Sequence, residues 1–112
     1  MAQHFVPKAA SYRRSREVAD VVDAKDAAGF EAYRTIAAKT IAHYGGRYLV
    51  RGGAAKAAEG GPPPKNIIVV EFPSMEKLRE WYASPEYAEA LKVRRTVLDR
   101  RLIFVEGVPP LA

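Results

Sequence analysis

The stretch that most constrains this chain is Tyr44-Gly45-Gly46-Arg47-Tyr48-Leu49-Val50-Arg51-Gly52-Gly53. An amphipathic helix runs into its first glycine pair, a strand crosses its middle, and a second pair releases the chain into a loop. Upstream, Phe30, Tyr33, Ala37, Ile41 and Tyr44 recur at spacings of three and four, which places one apolar stripe along one helix face. Asp26 is the expected N-cap of that helix, since its carboxylate can accept from an unpaired first-turn amide. Gly45 ends it, because the position after a helix favours positive φ, where glycine carries no Cβ penalty.

The remaining elements follow from similar signals. Val18, Asp20 and Val22 alternate with Ala19 and Val21, which predicts a strand over 16–23. A second strand is expected over 46–52. Residues 53–65 are rich in Gly, Ala and Pro and form a connector too long for a tight hairpin. Asn66 to Phe72 contains Ile67-Ile68-Val69-Val70, apolar on both faces as a central strand is. Ser74 caps a short helix bearing Leu78, Trp81 and Tyr82. Ser84-Pro85-Glu86 restarts the helix with a cap, a proline at the first helical position and an acid in the first turn. That segment is expected to reach Asp99, with Tyr87, Leu91, Arg94 and Leu98 on one face. The last strand is expected over 101–106.

The order is β-α-β-β-α-β. It predicts a ferredoxin-like α+β fold, a four-stranded antiparallel sheet with two helices on one face. The two-sided apolar third strand would leave a large apolar patch if its second face were bare. Pairing of sheet faces in a homodimer is the simplest remedy.

Composition narrows the function classes. The 112 residues suffice for one domain and include no cysteine, which excludes disulfides, cysteine-ligated iron–sulfur clusters and thiolate zinc sites. The longest apolar runs, Ile67–Val70 and Leu102–Val105, are far short of the ~20 residues of a membrane helix. No signal-peptide pattern precedes the first strand. A cytoplasmic protein without a membrane partner is the expectation. The net charge of +5 is unevenly spread: Lys8, Arg13, Arg14 and Arg16 stand together, without an acid, in the first sixteen residues. Residues 1–15 read as a flexible basic extension, 16–108 as one domain and 109–112 as a tail. The β-α-β-β-α-β order also occurs in RNA-recognition motifs, whose third strand stacks bases on aromatics. Asn66-Ile67-Ile68-Val69-Val70-Glu71-Phe72 offers aliphatics and a carboxylate instead, so specific nucleic-acid binding is not expected.

The segment 44–53, Glu59-Gly60, Glu71-Phe72-Pro73-Ser74, Ser84-Pro85-Glu86-Tyr87, Arg94 and Val105-Glu106-Gly107 together resemble the domain of unknown function 1330 family, within the dimeric α+β-barrel superfamily. The resemblance implies a ferredoxin-like protomer and a homodimer whose sheets close into a barrel. It implies no particular activity: relatives in the superfamily include cofactor-independent monooxygenases, lactone isomerases and haem proteins, which share a shape rather than a site. The chain departs from the family in its basic extension, its Ala-Ala-Lys-Ala-Ala loop and Pro62, where an aromatic is common.

Tyr33, Tyr44, Arg51, Glu71, Tyr87 and Arg94 form the candidate ligand-binding set, between helices and sheet. Guanidinium groups beside phenols suit a carboxylate or enolate through bidentate hydrogen bonds. The same residues also suit an Arg–Glu pair that fixes helices on the sheet, and alternation alone leaves the sheet face of Arg51 and Glu71 open. His43, Tyr87 and Arg94 are the candidate catalytic groups, although His43 at a helix C-terminus equally fits a capping role. No metal-ligand spacing exists, and no cofactor is expected. Three functions stay in view: binding of a small anionic or carbonyl-bearing metabolite; a cofactor-free isomerase, cyclase or monooxygenase; and a non-catalytic stress or interaction protein using the basic extension.

Overall fold

The computed structural model describes residues 14–24, 27–63 and 66–108, with the backbone alone for 17–24 and 27. The basic extension apart from Arg14 and Ser15, the Asp26 cap and the tail 109–112 lie outside the described residues. The elements are β1 (Ser15–Ala24), α1 (Ala27–His43), β2 (Arg47–Arg51), β3 (Ile67–Phe72), α2 (Met75–Ala83), α3 (Pro85–Val97) and β4 (Leu98–Val105). The sheet is antiparallel throughout, in the order β2-β3-β1-β4, which is the ferredoxin-like arrangement.

The helix stripe behaves as its spacing predicts: Phe30, Tyr33, Ala37 and Ile41 are all buried against the sheet. The end of α1 is a Schellman motif, in which Gly46 N–H reaches the Ile41 carbonyl at 2.9 Å and Gly45 N–H the Ala42 carbonyl at 3.1 Å. Gly45 has φ +82°, and a Cβ there would also meet Pro73. The second helix is broken in two where expected. Ser84 Oγ accepts from Tyr87 N–H at 3.1 Å as the cap of α3 and donates to the Trp81 carbonyl at 2.7 Å. One serine thus closes α2 and opens α3.

Val70, Phe72, Leu78, Trp81, Tyr87 and Leu98 are essentially inaccessible to solvent and form the core between helices and sheet. Trp81 stacks at 4.2 Å centroid distance from Tyr87, and its indole N–H donates to Thr40 Oγ1 at 2.9 Å, so burial leaves it satisfied.

One boundary and one register differ from expectation in a way that matters for the site. No linker separates α3 from β4: Leu98 is both the C-cap of α3, with its N–H on the Arg94 carbonyl, and the first residue of β4. The strand therefore begins three residues earlier than its alternation over 101–106 suggested. In β2, Arg47 pairs with Glu71 and Tyr48 with Val70, but Val50 pairs with Val69 and Arg51 with Ile68. Leu49 is the extra residue of a β-bulge. Paired residues share a sheet face, so Arg47 and Arg51 lie on opposite faces although four residues apart.

The face away from the helices carries Ile103 and Val105, 39% and 45% exposed. Glu71 sits on this face too, only 4% exposed.

Candidate functional site

The cleft between α1 and the sheet is lined by Phe30, Tyr33, Arg34, Ala37 and Ile41 from the helix and by Tyr48, Arg51, Ile68, Leu98 and Arg100 from three strands. The cleft is narrow, with a cavity volume of about 20 Å³ and an open mouth. That is room for about one water, well below a preformed small-molecule pocket, so most of the space between the two walls lies in that mouth.

At its base three elements are tied by one guanidinium. Tyr33 of α1 and Tyr87 of α3 place their hydroxyl oxygens 2.6 Å apart. Arg100 of β4 donates to both, through Nη1 to Tyr33 at 2.7 Å and through Nη2 to Tyr87 at 2.7 Å. The planar fork of arginine matches a pair of oxygens held at fixed separation, as it does a carboxylate. Each hydroxyl accepts from the cation and shares a hydrogen with its neighbour, so proton and charge are concentrated at the cleft wall. Tyr87 is fully buried and Tyr33 is 6% exposed, which removes competition from water.

Arg51 stands at the mouth with its Cζ 4.4 Å above the Tyr48 ring centroid, a cation–π stack. Among the described residues it forms no ion pair. Arg34 differs: its Nη1 is 2.9 Å from Glu31 Oε1, one turn away on α1.

Of the residues singled out in the sequence, Tyr33 and Arg51 line the cleft, Tyr87 joins them behind the lining through its bonds to Tyr33 and Arg100, and the others lie elsewhere. Glu71, on the opposite sheet face, is held by Arg16 Nη2 at 2.9 Å, Arg47 Nε at 3.0 Å and Arg14 Nη1 at 3.5 Å. That is a carboxylate under three guanidiniums, away from Arg51. Tyr44 and His43 meet Glu86 where α1 ends against α3: the Tyr44 hydroxyl donates to Glu86 Oε1 at 3.1 Å, and His43 Nε2 is 3.8 Å from Oε2. The Tyr44 phenol is pushed above its ordinary value, by desolvation first and by the bond to Glu86 second. Arg94 lies outside the cleft lining, half-buried on α3, its Nε enclosed and without an acceptor among the described residues.

Arg100 is the residue sequence reasoning missed. A signal existed: counting by twos from Leu98 gives Leu98, Arg100, Leu102 and Phe104, a lone arginine on an apolar strand face. Among the described residues, no cluster of three or more His, Cys, Asp or Glu could hold a metal. No helix among them is long and apolar enough to cross a membrane.

Comparison with known proteins adds a family and a fold. A family model described as a domain of unknown function, DUF1330, matches residues 17–108. A solved protein of unknown function from Rhodopseudomonas palustris superposes with a TM-score of 0.70 at 21% identity, over 88% of this chain and 85% of its own. A dimeric ferredoxin-like protein of unknown function from Thermobifida fusca gives 0.55 at 16%, over 84% and 91%. The cofactor-independent oxygenase SnoaB from Streptomyces nogalater gives 0.55 at 13%, over 88% and 95%. At these identities the structures share the fold with this chain. The curated proteins gave no match.

Proposed function

The chain belongs to the DUF1330 family, and on that premise we propose that it is a cytoplasmic homodimer whose protomers each bind a small anionic or carbonyl-bearing metabolite in the cleft between α1 and the sheet. The observation that carries this reading is the pairing of an apolar cleft with guanidinium groups at both ends, Arg51 at the mouth and Arg100 at the base. Polar groups few in number but fixed in place are what orient a small ligand in an otherwise apolar pocket. The exposed second sheet face supports the dimer: Ile103 and Val105 would be withdrawn from water by a second copy. The Thermobifida fusca relative in fold is described as dimeric.

Amide chemical-shift mapping with a panel of small organic acids and ketones tests the reading. Shifts concentrated at Tyr33, Tyr48, Arg51, Ile68 and Arg100 support it; a panel that moves none of these removes it.

A second reading, a cofactor-free enzyme, is favoured by the Tyr33–Tyr87–Arg100 geometry. Tyr33 would exchange a proton with a substrate oxygen while Arg100 stabilises negative charge developing beside it. His43 lies outside the cleft lining, so in this reading the tyrosine carries the proton. The fold is shared with one cofactor-independent oxygenase. Aerobic turnover of an activated phenol or enolisable ketone, lost in Tyr33→Phe with the fold intact, would support the enzyme; equal turnover in that variant would remove Tyr33 from it.

A further inference from the structure

We infer that the cleft takes an organic monocarboxylate with a compact apolar body, and that Arg51 reads its carboxylate. The inference rests on the cleft being a binding site and names the ligand class.

The three arginines of the lining are not equivalent. Arg34 is already neutralised by Glu31 at 2.9 Å. Arg100 spends two of its nitrogens on the Tyr33 and Tyr87 oxygens at 2.7 Å each, and it stands at the base as a fixed part of the wall. Arg51 is held against the Tyr48 ring and forms no ion pair among the described residues. Its Cζ lies 4.4 Å from the Tyr48 ring centroid, a contact that holds the guanidinium in place, and among the described residues its N–H groups meet no carboxylate, the partner they bind bidentately. The stack also lowers the side-chain entropy lost when a ligand arrives.

Its aim is built into the strand. Arg51 follows the Leu49 bulge, which pairs it with Ile68 on the cleft side; a regular register from Arg47 would pair it with Ile67, on the face that carries Glu71. One unengaged guanidinium matches a single negative charge. A phosphate or dicarboxylate would need further donors, and the other two arginines are committed. Below Arg51 the lining turns apolar, with Phe30, Ala37, Ile41, Ile68 and Leu98 and, among the described residues, no acid. That floor favours a ring or branched chain, and among the described residues it offers an ammonium group no carboxylate.

The test compares benzoate, benzamide and acetate by amide shift titration of the full chain and of Arg51→Met. The inference expects benzoate to shift Tyr48, Arg51 and Ile68 and to bind at least tenfold more tightly than benzamide, which has the same ring without the charge. It expects acetate, with the charge and no body, to bind at least tenfold more weakly than benzoate. In Arg51→Met, benzoate should fall to the level of benzamide while benzamide is unchanged, which also shows that the variant is folded. Equal binding of benzoate and benzamide at the cleft overturns the carboxylate assignment and leaves the cleft a binding site. An undiminished preference for benzoate in Arg51→Met overturns the role of Arg51. Benzoate shifts centred on Arg14, Arg16 and Arg47 overturn the location. No cleft shift with any of the three overturns this inference, while the wider panel of acids and ketones still decides whether the cleft binds at all.

Discussion

Removing the Tyr87 hydroxyl isolates the ring of hydrogen bonds at the base of the cleft from the packing around it. In Tyr87→Phe the aromatic contact with Trp81, at 4.2 Å centroid distance, is retained. Two bonds are lost: one accepted from Arg100 and one shared with Tyr33. A hydrogen bond to a charged group contributes about 1.5–3 kcal/mol and a neutral one about 0.5–1.5 kcal/mol, so the expected loss is about 2–4 kcal/mol. Tyr33→Phe loses the corresponding pair, and its expected cost is similar. The Tyr33–Tyr87 bond is counted in both single variants but can be lost only once. The double variant should therefore cost less than the sum of the singles by about 1 kcal/mol, the size of that shared bond. Urea unfolding at one fixed protein concentration measures all three, the concentration being held because dimerisation would contribute to stability. In thermal unfolding each single variant should lose roughly 8–30 °C, at about 4–8 °C per kcal/mol for a domain near this size. Additivity within about 0.3–0.5 kcal/mol would show that the two hydroxyls do not act as a unit. Single losses under about 0.5 kcal/mol would show that Arg100 is satisfied without them.

Two further outcomes follow from other parts of the molecule. Ile103→Asp with Val105→Asp places charge on the exposed sheet face and should convert a dimer to a folded monomer in analytical ultracentrifugation; an unchanged sedimentation coefficient would rule that face out as the interface. The raised titration of Tyr44 means that the folded chain holds a proton which the unfolded chain releases near pH 10.0. The stability contributed by this group is complete below that value and is lost as pH rises through the higher folded value. Tyr44→Phe should flatten the alkaline limb of the stability profile, and an unaltered limb would place the loss elsewhere.

Much of the fold was legible because local chemistry and tertiary packing agree. The Phe30–Tyr33–Ala37–Ile41 stripe is the buried face of α1, Gly45 is the left-handed residue that ends it, and Ser84-Pro85 is the break between α2 and α3. The site was less legible because its two key arginines depend on details of pairing. Arg100 fell in a gap, since the pattern of α3 runs through Leu98 and the change from helical to strand period occurs without a turn residue. The face of Arg51 is fixed by the β2–β3 register, and a bulge breaks the period of two from which a face is ordinarily read. Glu71 looked like the partner of Arg51 because it stands near the end of the neighbouring strand. The register gives it Arg47 instead, with Arg16 from the other side.

The odd residue in β2 reverses the usual expectation for a deletion. Loss of one residue from a regular strand exchanges the faces of everything beyond it. Here Arg47 and Arg51 are four positions apart but are paired with Glu71 and Ile68, which are three apart. Excising Leu49 would bring the two counts into agreement, leaving Arg47 over the acidic side chain and Arg51 at the cleft with no change of partner. An insertion, not a substitution, is thus what separates this strand from a regular one that serves the same two surfaces. The distance along the chain between two arginines therefore says less about their roles than the rungs they occupy.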